Sequence, residues 1–304
     1  MDKIQVLMST YNGEKYLFEQ VDSIFSQRDV SVYLLIRDDG STDNTLQIIK
    51  ILQERYSGKI TFYVGDNIGV KASFLDLLQR SNANFDFYAF ADQDDVWLPS
   101  KLCVASSRLK SLPDGQPGLF CSRTQLTDDR LNYLNMWPPI PRRPLAIRNA
   151  LVENVVVGCT AVINRSARSY LIEHIPRSNG IIMHDWWIYL CITYIGQVIF
   201  EETPLVLYRQ HGNNLIGGEL SFFSKWKNKI TTFVQGKNSN IRSKQAEEFY
   251  FLNNNEKELD IVNEMISYRE NLKNRIRFLI HTRLYRQSSF ETLYLKVLIL
   301  FKRL

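Results

Sequence analysis

"VYLLIRDDGSTDNTLQIIKILQERY", residues 32–56, is the stretch on which the fold turns. It starts as a continuous apolar run, as a strand covered on both faces should. It stops on two carboxylates and a glycine, Asp38, Asp39 and Gly40, and resumes from Thr42 as a helix that Thr42 or Asp43 is available to cap. A strand that turns into a helix in this way is part of a βαβ unit. The neighbours repeat the theme. Upstream, "IQVLM" (4–8) reads as a strand and "EKYLFEQVDSIFSQ" (14–27) as a helix with Leu17, Val21, Ile24 and Phe25 at helical spacing. Downstream, "ITFYVG" (60–65) and "FDFYAFAD" (85–92) read as strands on either side of a helix, "VKASFLDLLQRS" (70–81). Right-handed crossovers make such strands parallel, and ligands then bind beyond their C-terminal ends.

Polar loops gather at those ends: Thr10-Tyr11-Asn12-Gly13, Asp38-Asp39-Gly40-Ser41, Asp66-Asn67-Ile68-Gly69 and Asp92-Gln93-Asp94-Asp95. The last loop concentrates charge. Asp92, Asp94 and Asp95 repel one another and cost desolvation, so a divalent cation held by oxygen ligands is expected among them. The competing reading makes them turn and N-cap carboxylates ahead of the helix "PSKLCVASSRLKSL" (99–112).

Composition narrows the classes. The 304 residues hold one large domain or one domain with an appendage, and 45% hydrophobic with 23% charged residues is ordinary for a folded soluble protein. The four cysteines are scattered without a C-x-x-C pair, which argues against a zinc site or a disulfide framework and suits a reducing cytosol. No signal peptide opens the sequence, and no apolar run approaches the ~20 residues of a membrane span.

The middle is less regular. "NVVVGCTAVINRSA" (154–167) reads as a strand leading into a helix, "HDWWIYLCITYIG" (184–196) as an apolar helix, "PLVLYRQHGNN" (204–214) as a strand with a polar end, and the proline-rich "NMWPPIPRRP" (135–144) as a loop. Past about Leu215 the texture becomes basic and amphipathic. From Ile261 onward nine Lys/Arg face three Glu, so this tail carries more than the whole net charge of +5.

Taken in order, several of these stretches resemble the family 2 glycosyltransferases of the GT-A fold. "MSTYNGEKYLFEQVDSIFSQ" (8–27) is similar to the family's opening strand, turn and helix, and "LLIRDDGSTDNT" (34–45) to its most recognisable motif. "ADQDDVWLP" (91–99) resembles its metal-binding Asp-x-Asp loop, and "HDWW" (184–187) stands in the place of its catalytic-base motif. With "YRQHGNN" (208–214), the likeness is greatest to bacterial rhamnosyltransferases of cell-surface polysaccharide assembly, and it covers roughly residues 4 to 211.

The resemblance implies an α/β GT-A catalytic domain over 1–215, with a Rossmann-like, mostly parallel sheet flanked by helices, and a basic helical region over 216–304. The implied reaction is inverting transfer of a sugar, L-rhamnose by the narrower likeness, from a dTDP- or UDP-linked donor to a hydroxyl of a lipid-linked polysaccharide. It implies Mn2+ or Mg2+ on Asp94, with Asp92 near the ribose and Gln93 in the same donor loop; His211, after a strand, would complete the metal shell or else be structural. Asp39 would accept the N3–H of the pyrimidine, with Thr10, Tyr11 and Asn12 against the base and Asn67 lining its pocket. Lys71 would lie near phosphate or sugar and Arg209 would meet phosphate, or else they are a solvated lysine and a structural arginine. Asp185 is the implied general base. Trp186 and Trp187 are either a stacking platform for an acceptor sugar or core. A non-catalytic scaffold is the rival, but a scaffold needs no base.

The tail has two readings. "FFSKWKNKITTFV" (222–234) and "FETLYLKVLILFKRL" (290–304) mix aromatic and apolar residues with lysine and arginine, as helices at anionic membrane surfaces do. The other reading is a helical subdomain or homo-oligomer contact with a solvated basic face. The location expected is the cytoplasm, at the inner face of the cell membrane. No nucleic-acid recognition motif accompanies the charge.

Overall fold

The computed structural model describes residues 1–211, 240–253 and 259–304. The segment "FFSKWKNKITTFV" and Gly212–Asn214 of the polar strand end lie outside the described residues. The chain forms two compact units. The first takes Met1–Ile140, Val156–Ile175 and Ile195–Leu215, and the second takes Pro141–Val155, Pro176–Tyr194 and Ile216–Leu304. A single boundary near Leu215 therefore describes only the last of several crossings between them.

The strands of the first unit are β1 (Asp2–Thr10), β2 (Val30–Asp38), β3 (Ile60–Val64), β4 (Phe87–Ala91), β5 (Val96–Trp97), β6 (Gly118–Ser122), β7 (Thr124–Thr127), β8 (Tyr133–Trp137), β9 (Val162–Asn164), β10 (Gln197–Glu201) and β11 (Val206–Arg209). Its helices α1 (Leu17–Phe25), α2 (Thr45–Arg55), α3 (Val70–Arg80) and α4 (Lys101–Lys110) alternate with the early strands as the periodicity requires. Among the described residues a seven-stranded sheet runs β10-β6-β9-β4-β1-β2-β3, and a four-stranded one runs β5-β11-β7-β8. The pairs β1/β2, β1/β4, β2/β3 and β6/β10 are parallel, whereas β9 is antiparallel to both β4 and β6.

Burial explains the register. Ile4, Val6 and Met8 of β1 and Leu34 and Ile36 of β2 are buried in one cluster with Leu17, Val21 and Ile24 of α1. Thr10 pairs with Asp38 across the strand ends, so both polar termini emerge at the same edge.

Details differ from the sequence reading. Neither Thr42 nor Asp43 caps α2. Asn44 is the flanking residue, and the Asp43 carboxylate instead accepts the amide of Thr45 at 3.0 Å. The proline-rich stretch is not all loop, because Asn135–Trp137 belongs to β8, an edge strand paired antiparallel with β7. The strand in 154–167 is confined to Val162–Asn164, the residues that reach between β4 and β6. A short 3₁₀ turn, Gly158–Thr160, precedes it, and α6 (Arg165–Glu173) follows after the four-residue helix α5 (Ile147–Ala150) earlier in the chain.

The second unit holds α5, most of α7 (His184–Ile195), and the tail helices α8 (Ile241–Leu252), α9 (Asp260–Ser267), α10 (Leu272–His281) and α11 (Ser289–Leu300). Phe249, Val262, Met265, Tyr268, Phe278 and Ile299 are buried, so the tail helices have a core. No helix among the described residues is long and apolar enough to cross a membrane.

Candidate active site

The ends of β1 and β2 are stitched by Asp38. Its carboxylate accepts the Thr10 hydroxyl at 2.9 Å, the Ser41 amide at 2.9 Å and the Ser41 hydroxyl at 2.6 Å. Ser41 Oγ in turn accepts the amide of Asn12, whose side-chain oxygen takes the amide of Thr42, each at 2.9 Å. Asn12 and Gly40 both sit at positive φ, +48° and +83°, which asparagine and glycine tolerate best. Tyr11 at this turn is 48% exposed.

Asp39 is buried and already engaged. It pairs with buried Arg37 and accepts the amides of Ile68 at 3.0 Å and Gly69 at 2.9 Å. A carboxylate has about four lone-pair directions. Among the described residues three are taken, two on Oδ1 and one on Oδ2. Asp39 thus also anchors the 66–69 loop, where Asn67 is exposed, and Lys71 on the first turn of α3 is half-buried.

Beyond β4 the chain enters the acidic loop. Gln93 grips the Tyr11 backbone with both ends of its amide, accepting from the nitrogen and donating to the oxygen, each at 2.9 Å. Asp92 is half-buried, and its carbonyl accepts from Gln20 at 3.1 Å. Asp94 Oδ2 lies 2.8 Å from His211 Nε2, so the two residues assigned to a metal by resemblance meet from elements far apart in sequence. The reading of these carboxylates as caps of the next helix does not hold. β5 intervenes, and the residue flanking α4 is Ser100.

Arg209 departs from its expected place at a phosphate. Its guanidinium donates to the Asp94 carbonyl at 2.9 Å, to the Asp129 carbonyl at 2.5 Å and to Glu19 at 2.5 Å, and it stacks over Tyr16 at 4.4 Å. Its amide donates to Asp95 at 3.1 Å. Buried and committed on every side, Arg209 clamps the acidic loop from β11.

Asp95 is fully buried. Burial first, and then the charges of Asp94 and Asp92, push its carboxyl well above the usual carboxylate range. Nearby is a feature the sequence reading missed. Lys101 is wholly buried, donates to the Cys159 carbonyl at 2.6 Å, and has its ammonium 2.9 Å from the Trp97 ring centre. Burial holds that ammonium well below the ordinary lysine range. As one basic residue in an amphipathic helix, Lys101 carried no local sign of this.

Among the described residues two donor sets are therefore on hand for a divalent cation. Asp92, Asp95 and Cys159 have ligand atoms within 4.8 Å of one another. That set suits Mn2+ or Mg2+ poorly, because burial pushes the Cys159 thiol up, keeping it neutral, and hard cations prefer oxygen. Asp94 and His211 are partly solvent-exposed and offer a carboxylate and an imidazole. Those donors fit.

The base motif lies on α7. Asp185 is buried, and its Oδ1 accepts the amide of Trp186 at 2.7 Å. His184 is buried beside it, and loss of hydration pushes its imidazole down to about 3, so it is neutral at pH 7. The two tryptophans separate. Trp186 is half-buried and donates its indole N–H to the Ala150 carbonyl at 2.6 Å. Trp187 is 1% exposed and edge-on to Phe249 at 5.9 Å, so it is core and no platform for a sugar.

Known proteins are similar to this chain in sequence and in fold. A dTDP-rhamnosyl transferase, RfbG of Shigella flexneri, is 30% identical over 241 residues, covering 72% of this chain and 77% of that protein. The fold is similar to S. aureus TarS 1-349 in complex with UDP-GlcNAc, with a TM-score of 0.57 at 15% identity over 93% of this chain and 76% of that one. It is also similar to the mannosyltransferase PcManGT of Pyrobaculum calidifontis in complex with GDP-Man and Mn2+, with a TM-score of 0.50 at 12% identity over 97% and 78%. The profile of the Glycosyl transferase family 2 matches residues 5–171, more than half of the sequence, and the chain belongs to that family.

Proposed function

We propose that this glycosyltransferase moves L-rhamnose from dTDP-rhamnose, with inversion, to a hydroxyl of a lipid-linked cell-surface polysaccharide. The observation that carries the reading of the donor site is the meeting of Asp94 and His211 at 2.8 Å, at the ends of the strands where an α/β sheet binds its ligand. The choice of rhamnose and dTDP is supported by the RfbG likeness.

Asp94 and His211 would hold the divalent ion, which when bound neutralises charge on the departing diphosphate. Arg209 and Gln93 keep the loop that carries Asp94 in one shape, Gln93 by tying it to the Tyr11 turn. Asp39 and the exposed ring of Tyr11 are the proposed contacts for thymine. Asp185 is proposed to take the proton of the acceptor hydroxyl as that oxygen bonds the anomeric carbon and the bond from that carbon to the diphosphate oxygen breaks. A single displacement of this kind inverts the anomeric centre.

The test is a donor panel of dTDP-rhamnose, UDP-glucose, UDP-galactose and UDP-N-acetylglucosamine, scored for nucleoside diphosphate release with Mn2+ and with a chelator. Release from dTDP-rhamnose that depends on the ion is expected. Turnover restricted to a UDP-sugar would overturn the donor assignment, and full turnover in chelator would overturn the metal.

A further inference from the structure

Exposed apolar side chains are not spread evenly over the described residues. Of seventeen large ones among the described residues, eight fall between Leu272 and Phe301. Scattered exposed apolar residues need no explanation, but a concentration of them marks an interaction surface.

The arrangement within that stretch is regular. On α10, Leu272, Ile276 and Ile280 repeat every fourth residue and are 61%, 45% and 66% exposed. The next row round the same helix is Lys273, Arg277 and His281, all exposed, while Phe278 turns inward. On α11, Phe290, Leu293, Val297 and Leu300 form a second exposed row, and Leu295, Leu298 and Ile299 are buried. The two helices are joined by Arg275, which donates to the Leu300 carbonyl at 3.3 Å.

We propose that the outer rows of α10 and α11 dock on an anionic lipid bilayer. Charge complementarity selects this occupant. An apolar row beside a basic row lets the first enter the headgroup boundary while the second reaches lipid phosphates. The nine Lys/Arg against three Glu from Ile261 onward add attraction that each cation near the surface strengthens. Both helices are too short to cross a bilayer, so they lie in its surface. The inference is independent of the donor site.

Point substitutions are the right test. Truncation is not, because Leu304 is buried, its amide donating to the Tyr268 hydroxyl at 3.2 Å and its carbonyl accepting from Ser243 at 2.9 Å. The full chain is sedimented with vesicles of phosphatidylcholine alone and with phosphatidylglycerol added. Binding is expected with phosphatidylglycerol only, and high salt should release it. Ile276→Asp with Ile280→Asp should weaken it by about tenfold or more, as should Lys273→Glu with Arg277→Glu. Thymidine diphosphate affinity, measured on the same samples, should stay at the native value, which shows the fold intact and separates this proposal from the donor reading. Absence of binding by the native chain, or undiminished binding by both double variants, overturns the proposal. So does a native dimer that Ile276→Asp with Ile280→Asp converts to a monomer, since a second copy would then cover this face.

Discussion

Gln93 ties the acidic loop to the first turn of the fold, and Gly13 is what lets it do so. A Cβ at residue 13 would stand 2.2 Å from Gln93 Oε1. Gly13→Ala should therefore swing the amide away and remove both bonds to Tyr11, each contributing about 0.5–1.5 kcal/mol net. The fold should survive, because a flexible side chain gives way rather than backbone. Thymidine diphosphate affinity should fall several-fold by calorimetry, and an unchanged value would show that the clamp does not shape the donor turn. Asp94 and Asp95 make a second comparison between neighbours. Asp94→Asn should cut turnover by about a hundredfold, since an amide is a poorer ligand than a carboxylate. Asp95→Asn should keep most activity, because burial already disfavours the charge there and the amide oxygen can still accept the Arg209 N–H. Steady-state rates of the two variants decide between ligand and structural neighbour. Equal losses would remove the distinction.

At the scale of elements, the start of α7 carries two further expectations. Asparagine caps a helix as well as aspartate does. If Asp185 is only a helix-start residue, Asp185→Asn will turn over normally. As the proposed base it should lose about a hundredfold or more in transfer while donor affinity measured by calorimetry holds. His184 gives a pH signature of fold stability instead. Its imidazole is buried neutral, pushed down to about 3 from an ordinary 6.5. Between those values the unfolded chain binds the proton and the folded chain does not. Stability should therefore fall as pH drops below about 6.5, by up to about 1.4 kcal/mol per unit, until the folded value is reached. Urea midpoints between about pH 4 and 7 should decline less steeply for His184→Gln than for the native chain, and parallel declines would refute the assignment. The helix itself was legible from its apolar run, as were β1 to β4, because local periodicity encodes them. Which adjacent tryptophan is core was not legible, because Phe249, more than fifty residues away, decides it. The commitments of Arg209 were hidden for the same reason. Glu19 and Asp129 meet it only through the fold.

For the molecule as a whole, the interleaving of the two units matters most. The second unit is assembled from pieces on both sides of the first unit's later strands. Trp187 packs on Phe249, Arg177 pairs with Glu248 at 2.6 Å, and Asn149 donates to the Tyr285 carbonyl at 3.2 Å. A chain cut after Leu215 therefore should not give a clean catalytic domain. Removing Phe249 exposes the Trp187 surface and leaves a void of the kind that costs several kcal/mol in a core. The cut protein should aggregate or lose near-ultraviolet ellipticity from its tryptophans, and a well-dispersed, fully active fragment would contradict the interleaved division. The same threading imposes an order on biosynthesis. A ribosome adds about 5–20 residues per second, so Trp187 emerges roughly 3 to 12 seconds before Phe249 does. Throughout that interval the nascent helix displays an aromatic surface whose cover has not yet emerged. It is a natural client for chaperones that bind exposed apolar segments near the exit tunnel.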